Sequence, residues 1–132
     1  MLFHVDTKSD VAIYEQIVNQ VVFGIASGTL AVGELIPSVR DLGVRLGIHP
    51  NTVAKAYQEL ERSGYIEARR GRGMEVTPDA PTMCRRRRQV IVRDRLRDAL
   101  REAVSSALDE SEVRDLVEQE LARAHGERNS KR

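Results

Sequence analysis

Between Gly47 and Gly64 the sequence GIHPNTVAKAYQELERSG sets Asn51, Lys55, Gln58 and Arg62 along the outer row of a short helix. All four are long or hydrogen-bonding side chains, and none is acidic. Val53, Ala56, Tyr57 and Leu60 recur at i, i+3, i+4 and i+7 and make the opposite face an apolar stripe. Such a row is suited to recognition. An asparagine can pair bidentately with adenine, and a lysine can donate to guanine or to a phosphate. A second group of donors follows in Arg69-Arg70-Gly71-Arg72-Gly73, between Tyr65-Ile66-Glu67-Ala68 and Met74-Glu75-Val76. Those flanking runs can be strands, so the segment reads as a hairpin with a basic tip. A solvated turn is the plainer reading. Three arginines in five residues beside a donor-rich helix favour phosphate contact.

Other chemistries find little support. His4, His49 and His125 are scattered and Cys84 has no cysteine partner, so no metal-ligand spacing exists. No glycine-rich loop ending in Lys-Ser/Thr is present to cradle a nucleotide phosphate. Ser105-Ser106 lacks a neighbouring His and Asp, and mid-helix serines are usually surface residues. Cys84 precedes Arg85-Arg86-Arg87-Arg88, a setting that could lower its pKa and make it redox-sensitive. An incidental linker cysteine is the better-supported reading. No catalytic residue, metal or cofactor is expected.

The donors need elements to hold them. Tyr14, Ile17, Val18, Val21, Val22 and Ile25 repeat with a helical period, with Asp10 as an N-cap and Gly28 as the stop. Leu35-Ile36 suffices for a minimal strand. Ser38 caps a second helix with Val39, Leu42, Gly43 and Leu46 inward, and its free N–H groups suit a phosphate. Gly47 ends that helix, and Pro50 fits the first turn of the third. Two short helices around a tight turn make a helix-turn-helix, and the hairpin after it is a wing. The predicted fold is mainly α with a small β-wing: a winged helix-turn-helix domain over residues 1–77, then two C-terminal helices.

Thr77-Pro78-Asp79-Ala80-Pro81-Thr82 reads as a linker, assigned to residues 78–83. Val92, Leu96, Ala99, Leu100, Ala103, Ala107 and Leu108 outline a long helix beyond it. Asp109 and Glu112 form a capping box for another, whose stripe is Val113, Leu116, Val117, Leu121 and Ala124. Two helices with one apolar face each cannot seal a core alone. Dimerisation through Leu96, Leu100, Val104, Val113, Leu116, Val117 and Leu121 is the simplest way to cover residues 84–125. Residues 126–132 are polar and expected to be a disordered tail.

Composition bounds the remainder. The 132 residues are 41% hydrophobic but only 4% aromatic, and 31% are charged, as in a helix-rich globular chain. The net charge of +1 hides an uneven spread. Residues 1–76 carry −1, residues 84–101 carry +6, and residues 109–127 carry −5. Segments of +6 and −5 can attract each other, within a chain or across a dimer. No apolar run can span a bilayer and no signal peptide is evident, so a cytoplasmic location without membrane contact is expected.

Tyr14-Glu15-Gln16-Ile17, Gly28-Thr29-Leu30, Gly33, Pro37-Ser38-Val39-Arg40 and His49-Pro50-Asn51-Thr52-Val53 with Ala56-Tyr57 together resemble the GntR family of bacterial regulators. Leu60-Glu61 and Gly71-Arg72-Gly73 continue the pattern, which covers residues 8–77. The C-terminal part resembles the YtrA subfamily, whose members carry two dimerising helices in place of a large effector-binding domain. The resemblance implies a homodimeric transcriptional regulator, more often a repressor, acting on a double-stranded DNA operator near transporter genes. It places DNA contacts at Arg40, at His49, Asn51, Thr52 and Lys55, and at Arg70, Gly71 and Arg72; Ser38 joins them on the phosphate argument above. Other subfamilies put arginine where this chain has Pro50 and Ala54, so their operators do not transfer. An unknown small-molecule effector, if there is one, would have to bind at the dimer seam or domain junction. The competing reading is a winged-helix module that binds protein or RNA.

Overall fold

A computed structural model describes residues 3–130. The first three helices are α1 (Ile13–Ser27), α2 (Val39–Leu46) and α3 (Pro50–Arg62). Strands β1 (Ile66–Arg69) and β2 (Gly73–Val76) follow, then α4 (Ala80–Ser105) and α5 (Glu110–Ser130). The chain divides into two compact units, Met1–Val90 and Ile91–Arg132. Among the described residues no helix is long and apolar enough to cross a membrane.

In the first unit the apolar periods converge. Ile17, Val18, Val21, Val22 and Ile25 of α1 are buried with Leu42 of α2 and Val53, Ala56, Tyr57 and Leu60 of α3. Burying a Val, Leu or Ile side chain stabilises by roughly 1.5–3 kcal/mol, enough in sum to order helices too short to persist alone. Ser38 caps α2 by accepting from the Asp41 N–H at 3.1 Å. Gly47 closes α2 at φ 66°, a left-handed conformation that a side chain would strain. A Cβ at Gly43 would stand 3.1 Å from the Ile48 carbonyl, so the turn into α3 relies on the missing side chain.

β1 and β2 are antiparallel, with Ile66 opposite Val76 and Arg69 opposite Gly73. The expected Leu35-Ile36 strand is present as a bridge from Leu35 to Glu75. Hydrogen bonds Gly33 N–H to Val76 O, Val76 N–H to Glu34 O and Ile36 N–H to Met74 O extend it along β2. The base of the wing is thereby tied to the segment leading into α2.

Four expectations need correction. Asp10 does not cap α1, which starts at Ile13 with Ala12 as N-cap and no side-chain cap. The Gln16 amide binds the preceding segment instead, donating to the carbonyls of Asp6 and Val11 and accepting from the Asp6 N–H. The segment 78–83 is not an extended linker, because α4 begins at Ala80. A proline in the first turn loses no helical hydrogen bond, so Pro81 permits the start. Ala80 and Cys84 are fully buried in the first unit. Ala107 does not continue the long helix: it sits at φ 65° in the turn before α5. Residues 126–130 are not a frayed tail but the end of α5, while Lys131 and Arg132 lie outside the described residues. The Asp109 cap is as expected, accepting from the Glu112 N–H at 2.9 Å.

Because α4 supplies core to the first unit, where the chain is cut matters. A chain ending at Val90 is expected to unfold cooperatively in urea. One ending at Thr82 lacks Cys84 and the α4 side chains after it, and should be less stable by about 2–4 kcal/mol. Equal denaturation midpoints would show that α4 contributes nothing to this core.

Candidate nucleic-acid interface

The outer row of α3 is held from behind by its stripe. Val53, Ala56 and Leu60 are fully buried and Tyr57 nearly so. The Tyr57 hydroxyl donates to the Pro37 carbonyl at 2.7 Å, linking α3 to the turn ahead of α2. Burial pushes that phenol well above its ordinary range, with Arg45 offsetting only part, so it remains a donor. Asn51 and Lys55 are exposed, and Thr52 is half-buried.

His49 is the N-cap of α3. Its Nδ1 accepts from the Asn51 N–H at 3.0 Å. A nitrogen that accepts carries no proton, so the capping ring is neutral with its proton on Nε2. His49 therefore both fixes the start of the helix and offers one donor. Ser38 and Arg40 are exposed at the start of α2, and the Ser38 oxygen accepts a backbone N–H while its own proton is left to donate.

The wing tip is residues 70–72, closed by Arg72 N–H to Arg69 O at 2.9 Å with Gly71 at φ 76°. The three arginines of the hairpin are not equivalent. Arg69 belongs to β1 and lies 2.5 Å from Glu75 and 2.9 Å from Glu67. The hydrogen bond to Glu75, then the charges of Glu67 and Glu75, hold its pKa above the ordinary guanidinium value. Arg70 and Arg72 are exposed and form no ion pair among the described residues. The basic tip is thus two arginines, with the third bracing the hairpin.

Two supporting side chains were assigned differently from the sequence. Tyr14, read as part of the core stripe, is half-buried, and Lys55 Nζ lies 3.9 Å above its ring centroid. Arg87, counted from the sequence in the +6 segment that can attract the −5 one, meets Glu59 of α3 at 3.4 Å and lies over Tyr65 at 5.7 Å. Helical spacing cannot reveal either, because both depend on α1 and α4 packing beside α3. The expected sites on α2, α3 and the wing all lie in the first unit. Leu96, Leu100, Val104, Val113, Leu116, Val117 and Leu121 lie in the second.

Residues 13–76 match the gntR family of bacterial regulatory proteins. Across 125 residues the chain is 31% identical to the HTH-type transcriptional repressor YtrA of Bacillus subtilis, covering 95% of this chain and 96% of that one. The protein belongs to the GntR family. A GntR family transcriptional regulator from Listeria monocytogenes shares the fold with a TM-score of 0.68 at 27% identity, over 87% of this chain and 98% of that one. YtrA from Sulfolobus acidocaldarius, a GntR-family transcription factor, superposes with a TM-score of 0.54 at 28% identity, over 92% and 97% of the two chains. The protein is a YtrA-like GntR regulator, a DNA-binding transcription factor and not an enzyme.

Cys84 is neither reactive nor a linker residue. Burial pushes its thiol up to about 11, and Arg87 lowers it only in part. An unfolded cysteine ionises near pH 8.5, so the protonated folded thiol contributes stability that is complete below that value and is lost as pH rises through about 11. Urea unfolding of the native protein and Cys84→Ala should therefore show a stability gap that narrows above pH 8.5. A gap that stays constant to pH 10.5 would mean the thiol is not desolvated.

Proposed function

We propose that this GntR regulator is a homodimeric repressor that reads an inverted-repeat operator. In this reading α3 lies in the major groove, Asn51, Thr52 and Lys55 face base edges, and His49, Ser38 and Arg40 meet the flanking backbone. Arg70, Gly71 and Arg72 carry the wing tip to the adjacent phosphates. The observation that carries it is the exposed, capped N-terminal half of α3, whose outer row bears no carboxylate beside a wing tip with two unpaired arginines. Repression is proposed because the relative matched along nearly its full length is named a repressor.

Dimerisation is proposed from the second unit. Leu96 and Val104 on α4 are 54% and 64% exposed, and Leu116 and Leu121 on α5 are 46% and 49% exposed. So many large apolar side chains in 42 residues call for a covering partner. The α4 face holding Leu96, Leu100 and Val104 is rimmed by Arg93, Arg97 and Arg101. The stripe with Val113 and Val117 is rimmed by Glu110, Glu118 and Arg114, the last paired to Glu110 at 2.5 Å, so this rim keeps a net negative charge. Opposite rims suit two copies of one chain. Both depressions are open grooves, of about 580 and 530 Å³, and an effector would have to bind where a partner closes them.

Asn51→Ala should weaken operator binding by roughly 1–3 kcal/mol and relax preference at one position. Arg72→Ala should weaken binding to every duplex alike and make the salt slope shallower by about one. An Asn51→Ala protein that separates operator from random DNA as the native one does would remove α3 from the interface. Leu100→Asp or Leu116→Asp should give monomers in sedimentation and reduce operator affinity by about 100-fold. A dimer that survives either change, or a monomer with full affinity, would contradict the role of the C-terminal helices.

A further inference from the structure

Glu59 is the only acidic residue within four positions of Lys55 along α3. Lysine and glutamate at i and i+4 are neighbours on a helix surface and ordinarily pair. Here they do not: Lys55 forms no ion pair among the described residues and sits over the Tyr14 ring. A ring face attracts an ammonium without cancelling its charge. The Glu59 carboxylate is engaged instead by the Arg87 guanidinium, at 3.4 Å.

Arg87 is well placed for this. Ala80, Cys84 and Arg87 fall at i, i+4 and i+7 on α4, and the first two are fully buried. The guanidinium also lies over the Tyr65 ring. Both members of the ion pair are largely shielded, with Arg87 31% and Glu59 27% exposed, so solvent screens the pair less than a surface one. Two other arginines of the run are placed differently. Arg85 and Arg86 are exposed, and Arg85 contacts the Thr82 hydroxyl.

We propose that Arg87 is a positioning residue of the DNA interface: by holding the Glu59 carboxylate, it keeps Lys55 unpaired and available to nucleic acid. The inference rests on the reading that the outer row of α3 meets DNA. When Arg87 is removed, Glu59 turns to Lys55, and the interface loses one cation that it would otherwise present.

The test is equilibrium binding of the intact chain to a mixed-sequence duplex of about 30 base pairs, roughly three helical turns. Salt is varied from about 50 to 200 mM, and thermal unfolding is followed on the same samples. Arg87→Gln should bind roughly three- to tenfold more weakly, with a salt slope shallower by up to about one. Adding Glu59→Gln to that variant should restore both affinity and slope, which a purely structural role for Arg87 would not allow. Arg87→Lys should keep most of the native affinity. Lys55→Ala should reproduce the loss in the native chain and add little to Arg87→Gln. If the double variant stays as weak as Arg87→Gln, or Arg87→Gln binds as the native chain does while Lys55→Ala is weak, the inference is overturned alone. If Lys55→Ala itself binds normally, the placement of α3 falls with it.

Discussion

The packing of α3 against α1 and α2 is the constraint on which the remainder of the first unit depends. Val53, Ala56, Tyr57 and Leu60 are each at most 4% exposed, and they take up nearly the whole inner face of a 13-residue helix. With that face committed, Asn51, Lys55, Gln58 and Arg62 have no direction left but outward. The same burial sets the helix-turn-helix angle, since Gly43 permits the Ile48 carbonyl to approach closely and Tyr57 reaches back to Pro37. A helix this short is marginal in water. Its order, and so the geometry of its donors, derives from the core.

Charge is managed around that face. Residues 1–76 carry a net −1, and only with Arg85–Arg88 does the first unit reach +2, so attraction to a polyanion rests mainly on the local arrangement of charge. Glu67 and Glu75 are both occupied by Arg69, and Glu59 by Arg87. Arg70, Arg72 and Lys55 are left without carboxylate partners among the described residues. Arginine thus has two roles in the wing, bracing from β1 and presenting charge from the tip.

Much of this was legible in the sequence because it is local. The α1 period with its Gly28 stop, the Ser38 cap, Gly47, Pro50 in the first turn of α3 and the glycine-arginine hairpin each follow from one element's own rules. What was not legible depended on contacts between elements. Pro81 suggested a linker, yet the burial of Ala80 and Cys84 makes the segment helical. Asp10 offered a cap that Gln16 made unnecessary. Arg69 could not be told from Arg70 and Arg72 until the hairpin register brought Glu75 beside it. The His49 cap was missed because histidine is a rare choice there, although its Nδ1 can accept as a serine oxygen does.

The central claim is that this chain reads DNA sequence through α3 from two symmetric half-sites. The most direct measurement is to incubate the intact protein with fragments of its own genome at physiological salt and sequence what it retains, with footprints at single-nucleotide resolution. The account predicts a few enriched sites, each an inverted repeat whose half-site centres lie about one helical turn, or a multiple of it, apart. Protection should fall in the major groove of each half-site and on the flanking phosphates. Retention without sequence enrichment, or footprints covering a single unrepeated half-site, would contradict it.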